Sequence, residues 1–288
     1  MTLVTAASGG QDISVGAAIA ISGSVVLRVL CGTESRPETL QAPIIVAFII
    51  SCLVAMAFGA FNGTLVAYFK IQPMVATLIL FTAGRSIAAW INNNELPIVS
   101  DVTFSYFGGF LPGIPIPTSF FIALACMIAT ALIFKFTSLG LYIQSVGINE
   151  NSARLNGLNP AFIKFITYVI LGLFVAVAGF IKVSRLSTIN YSVVAKDIEM
   201  DAILAVALGG NALSGGKFNI SASVIGAYVI QFLTTTLYKL EVSSDALSAY
   251  KAIVVIVLVV MSAPIVREKL AALMKIIKTK FAAAKSAT

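Results

Sequence analysis

Histidine is absent from this 288-residue chain, and only 11% of its residues are charged. The first absence removes the commonest metal ligand and general base. The second removes the polar surface that a soluble domain of this size needs. Cysteine is scarce too: Cys31, Cys52 and Cys126 are odd in number, scattered and mostly set within apolar runs. They suggest neither a disulfide framework nor a metal centre. Without a nucleophile–base pairing or a metal-ligand cluster, a membrane-embedded enzyme has no residues to rest on. The opening M-T-L-V-T-A-A-S-G-G has no basic region and no signal-peptide pattern, and reads as if the chain started inside a membrane helix.

What is present is apolar. Hydrophobic residues make up 59% of the chain and the mean hydropathy is +0.99. They run continuously rather than alternating, which indicates an all-α polytopic membrane protein and excludes a transmembrane barrel. Charges and prolines divide the chain into about eight hydrophobic segments, near 13–30, 42–69, 71–91, 118–143, 161–181, 198–216, 218–238 and 249–266. Residues 1–266 then form a single transmembrane domain, followed by a basic tail, 267–288.

The tail sets the topology. Arg267, Lys269, Lys275, Lys278, Lys280 and Lys285 face the single acid Glu268, and such a cluster beside a final span marks the cytoplasmic side. Leu270, Leu273, Met274, Ile277 and Phe281 recur at helical spacing, so the tail is expected to lie along anionic headgroups rather than bind nucleic acid. Counting back from it places 145–164 in the cytoplasm and 92–117 outside. The outer segment carries Glu95 and Asp101 and no base, in agreement. Lys70 marks a tight inner turn.

The polar island Ser145–Pro160 interrupts this pattern. Asn149 or Asn151 can cap a short helix, Glu150 lies in or near its first turn, and Arg154 follows at i+4 for an ion pair. Gly157 can end it, and Pro160 begins the next element. A helix this short is marginal in isolation and is expected to face a soluble partner.

Several other motifs carry competing readings. Ser8-Gly9-Gly10-Gln11-Asp12-Ile13-Ser14-Val15-Gly16 reads as a glycine turn before a helix capped by Asp12 or Ser14, or as a half-helix end facing a pore. Glu199 and Asp201 read as an outer-surface charge pair with Lys196, Lys182 or Arg185, or as part of a pathway. Arg85 interrupts an apolar run and either snorkels, pairs or lines a cavity. The uncharged run Ala202–Gly216 has 15 residues, about 22 Å of helix against a hydrocarbon core of about 30 Å. A segment that short points to a covered pathway rather than a lipid anchor. Leu213-Ser214-Gly215-Gly216-Lys217 mimics a nucleotide motif, but Asn211 and Phe218 stand where a phosphate loop needs glycine and a hydroxyl, so no nucleotide site is expected.

Five motifs in order carry a resemblance: S-G-G-Q-D-I-S-V-G, the A-F-N-G-T-L-V-A-Y-F-K-I-Q-P-M-V-A-T-L run from Ala60, V-G-I-N-E-N-S-A-R-L-N-G-L-N, V-A-G-F-I-K-V-S-R-L, and E-M-D-A-I-L-A-V-A-L-G-G-N-A-L-S-G-G-K. Together they make the chain similar to the permease subunit of ribose/galactose-type sugar ABC importers over nearly its whole length. The resemblance implies a bacterial cytoplasmic-membrane protein that works with a second permease subunit, cytoplasmic ABC ATPase subunits and an extracytoplasmic sugar-binding protein. ATP–Mg would be held by the ATPase, with no cofactor and no catalysis on this chain. It implies an ATPase-coupling element at Gly147, Asn149, Glu150, Ala153, Arg154, Leu155 and Gly157. It also maps the Asp12–Gly16 and Glu199–Gly210 motifs near a translocation path, and since a sugar needs a wet path with hydrogen-bond donors and acceptors, Asp12, Ser14, Asn62, Thr77, Arg85, Glu199, Asp201 and Asn211 are the path candidates. The departures are Ile148 and Asn219, each at a common glycine position, the extra Gln11, and the lack of the family's N-terminal helix or helices. An ion-coupled secondary sugar transporter, or an ABC permease for a nucleoside or other furanose-like solute, remains the alternative.

Overall fold

The computed structural model describes residues 1–243, 246, 249–253 and 256. The expected final span near 249–266 lies largely outside the described residues, and the basic tail 267–288 lies wholly outside them. The described part is helical: α1 (Thr2–Ser8), α2 (Val15–Cys31), α3 (Ile44–Ala67), α4 (Pro73–Ile91), α5 (Val102–Gly108), α6 (Thr118–Phe136), α7 (Leu139–Ile148), α8 (Glu150–Leu155), α9 (Pro160–Leu186), α10 (Ile198–Leu208) and α11 (Ile220–Lys239). Five of these, α3, α4, α6, α9 and α11, are long and apolar enough to cross a membrane, and α2 and α7 are shorter apolar helices. The all-α polytopic architecture is therefore the observed one.

The chain forms two compact units. The first is Met1–Ile203 with Ala212–Phe218, and the second is Leu204–Asn211 with the described residues from Asn219 onward. In the first, α2 is buried on nearly every side and packs against α3, α4 and α9. The most extensive pairing joins α3 to α9. Ala55, Gly59 and Gly63 recur every fourth residue on α3, and α9 answers with Phe165, Tyr168 and Gly172. A Cβ at Gly59 would strike the Tyr168 carbonyl, and one at Gly172 would come within 2.5 Å of the Ala55 carbonyl. Small residues at this spacing let two backbones touch where lipid offers no hydrophobic drive to associate.

Two expected segments differ. The segment near 118–143 is not one helix: the chain is extended at Thr137, and α7 starts afresh after Ser138. The Thr137 hydroxyl donates to the Ile133 carbonyl, the side-chain competition with the helix ladder that Ser and Thr provide. The short run 198–216 is shorter still as a helix. It ends at Leu208, because Gly210 turns left-handed (φ 72°) and the chain leaves the helix. In the second unit α10 and α11 approach through Gly209 and Gly226, whose added Cβ atoms would meet Ala222 and Ala205 backbone.

Candidate functional site

The polar island folds as α8. Asn149, not Asn151, is the cap: its side chain accepts the Ser152 N–H at 3.0 Å. The far end closes with Gly157 left-handed (φ 81°), its N–H on the Arg154 carbonyl and the Leu158 N–H on the Ala153 carbonyl. That paired arrangement satisfies two carbonyls a six-residue helix would otherwise leave open. Asn159 then caps α9, with Pro160 in its first turn.

The expected i,i+4 pair does not form. Glu150 instead meets Lys164 of α9 at 2.6 Å, with the lysine largely buried, so the acid ties α8 to the long helix behind it. Arg154 makes no ion pair among the described residues and stands exposed. Ala153 is buried beneath α8, whereas Leu155 is 89% exposed.

Gly147 has a different task from its neighbours. A Cβ there would overlap the Ala6 carbonyl and approach the Gly216 amide, and Gly216 N–H donates to that carbonyl at 2.9 Å. A Cβ at Gly9 would likewise come within 2.8 Å of the Ser214 carbonyl. Three glycine motifs that are remote in sequence thus meet backbone to backbone beside α7.

Around the start of α2 the structure gathers four of the path candidates. The buried Asp12 carboxylate accepts the Ser14 N–H at 2.7 Å and the Ser14 hydroxyl at 2.6 Å. The Asn62 amide donates to the Ser14 oxygen at 3.0 Å, and Ile13 N–H donates to the Thr77 hydroxyl oxygen at 3.2 Å. Ser14 holds the N-cap position of α2, but neither it nor Asp12 caps that helix through its side chain. The carboxylate closes a local turn instead. The Asn62 Oδ1 atom is buried without a hydrogen bond.

Arg85 and Glu199 form a second group. Arg85 reaches from α4 and donates to the carbonyls of Tyr191 and Val194, both at 2.8 Å, pinning the segment that leads into α10. It does not simply snorkel. Glu199 is buried, so the surface charge-pair reading fails for it: its Oε2 atom lies against Gly16 in the first turn of α2, without a hydrogen bond. Position at a helix N-terminus favours a carboxylate there. Asp201 is half-buried on α10.

Asn211 belongs elsewhere. In the second unit its amide donates to the Val206 carbonyl and the Ser223 hydroxyl oxygen, and its Oδ1 accepts the Asn219 N–H. Those bonds make it a brace between the end of α10 and the start of α11. The sequence reading missed Tyr168, fully buried on α9 and packed against Gly63, the neighbour of Asn62 on α3. The aromatic alone, within an apolar run, carried no signal.

Residues 1–263 match the family described as branched-chain amino acid transport system / permease component. The fructose import permease protein of Bifidobacterium longum is 35% identical over 269 residues, covering 92% of this chain and 72% of that protein. The galactofuranose transporter permease protein of Escherichia coli is 38% identical over 264 residues, covering 91% and 74%. The ribose import permease protein of Escherichia coli is 35% identical over 263 residues, covering 90% and 78%. No solved structure matches the chain.

Proposed function

The chain belongs to the family of branched-chain amino acid transport system / permease components, and from that premise we propose how its parts divide the work of import. It is the membrane-spanning permease subunit of a simple-sugar ABC importer, in keeping with relatives named for fructose, galactofuranose and ribose. The alternative of an ion-coupled secondary transporter gives way to this reading.

The proposal is that α8, within the loop 145–164, docks on a cytoplasmic ATPase. The observation that carries it is the exposed Leu155 on a six-residue helix capped at both ends and anchored by Glu150–Lys164. ATP–Mg would bind and be hydrolysed on that partner, leaving this chain without a cofactor or a catalytic step. Sugar would arrive from an extracytoplasmic binding protein, and a second permease subunit, identical or not, would complete the path. The chain would lie in a bacterial cytoplasmic membrane with residues 1–266 as its permease domain and its C-terminus inside.

Coupling needs a stiff connection. The Glu150–Lys164 contact links α8 to α9, and Tyr168 lies about 6 Å of helix rise beyond Lys164. That residue packs against Gly63, the neighbour of Asn62. Closure of the ATPases would shift α8, and α9 would carry the shift to the Asp12, Ser14, Asn62 and Thr77 group and alternate its access. Arg85, Glu199 and Asp201 are the further path candidates. Asn211 is the weakest of the set, since its donors and acceptor are engaged.

The test is co-purification of the ATPase with tagged protein from mild detergent, wild type beside an E150A/R154A variant. Capture by the wild type, lost in a folded variant, supports the assignment. Undiminished capture and uptake by the variant refutes α8 as the coupling element.

A further inference from the structure

Between the α3–α4 turn, α8 and the start of α9 lies a polar cavity of about 350 Å³. Lys70, Gln72, Arg154, Lys164 and Glu150 line it, so three cations face one acid. Glu150 is occupied by Lys164, while Lys70 and Arg154 make no ion pair among the described residues. The cavity therefore holds two uncompensated positive charges.

Lys70 stands there at a conformational cost. Its φ is 56°, a left-handed geometry that glycine adopts freely and a lysine rarely does. A strained residue kept where a cheaper one would serve is a pointer to use of its side chain.

The residues flanking the α3–α4 turn in the chain bear on the surroundings of the cavity. Tyr68 and Phe69, just before Lys70, are both exposed, and Met74 and Val75 present exposed apolar side chains at the start of α4. Exposed aromatic rings beside a lysine, followed in the chain by exposed apolar residues, are the composition of the headgroup zone of a bilayer. Basic pockets between spans on the cytoplasmic side suit anionic headgroups. We infer that this cavity binds the phosphate of an anionic phospholipid headgroup, placing lipid beside α8, where it would steady the α3–α4 turn against the coupling helix. The inference rests on the cytoplasmic placement of α8 proposed above.

The experiment is native mass spectrometry of the full chain released from micelles doped with phosphatidylglycerol or phosphatidylcholine. The wild type is expected to retain phosphatidylglycerol preferentially, and K70Q to weaken that retention about fivefold, with K70R restoring it. ATPase capture is measured on the same preparations and is expected to survive K70Q. Equal retention of the two lipids by the wild type would overturn the inference. So would loss of retention on adding excess inorganic phosphate with no lipid preference, which would assign the cavity to a soluble anion. Unchanged retention in K70Q with lost ATPase capture would overturn it in favour of an acidic group on the partner. Selective lipid retention by a wild type that captures no ATPase would support the lipid site and sink the coupling assignment instead.

Discussion

Gly147 offers a case in which helix propensity and packing predict opposite signs. It lies near the end of α7, and alanine there would favour the helix by about 1 kcal/mol over glycine. The added Cβ, however, would overlap the Ala6 carbonyl and crowd the Gly216 amide, both of them backbone. Neither can rotate away as a side chain would. Overpacking costs about 1–3 kcal/mol, and loss of the Gly216–Ala6 hydrogen bond adds about 1 kcal/mol. The net expectation for G147A is a loss of about 1–3 kcal/mol, or roughly 2–10 °C in midpoint for a chain of this size. The comparison is G157N: Gly157 is left-handed with open space around it, and asparagine tolerates that geometry. It is expected to melt within about 2 °C of wild type. Thermal survival of detergent-solubilised protein, read by size-exclusion chromatography, measures both. A G147A variant as stable as wild type, or more so, would refute the backbone collision.

Further expectations concern single contacts. L155S should leave thermal survival within experimental scatter, since the side chain is 89% exposed, yet reduce ATPase capture; retained capture would remove Leu155 from the proposed interface. N149A should cost α8 about 1 kcal/mol through loss of its cap, seen as faster hydrogen exchange at 150–155 with the rest of the chain unchanged. R85M should release the backbone of Tyr191 and Val194, each bond to the guanidinium being worth about 1.5–3 kcal/mol. Limited proteolysis between 187 and 197 should then speed up, and an unchanged cleavage pattern would show that the segment holds without Arg85.

Much of the local structure was legible in the residues themselves. The α8 boundaries follow from Asn149, Gly157 and Pro160, because caps and stops act within a turn and need no distant partner. Choosing Lys164 over Arg154 as the partner of Glu150 required knowing how α9 folds back on α8. The same limit governs Glu199. Two residues from Asp201 and near several bases, it reads as surface charge, and only the approach of α2 turns it inward against Gly16.

Composition alone determined that this chain lives in a membrane as helices, because 59% hydrophobic residues in continuous runs leave no other way to satisfy the backbone. Short motifs determined where helices begin, break and end, as at Gly9 and Gly210, both left-handed. Tertiary structure alone decided which glycines separate helices by a single atom's width, and that Asp12, Ser14, Asn62 and Thr77 share one buried site while Asn211 braces another unit. The physical reason is range: propensity and hydropathy act over a few residues, whereas a shared hydrogen bond between Ser14 and Asn62 depends on how whole helices cross.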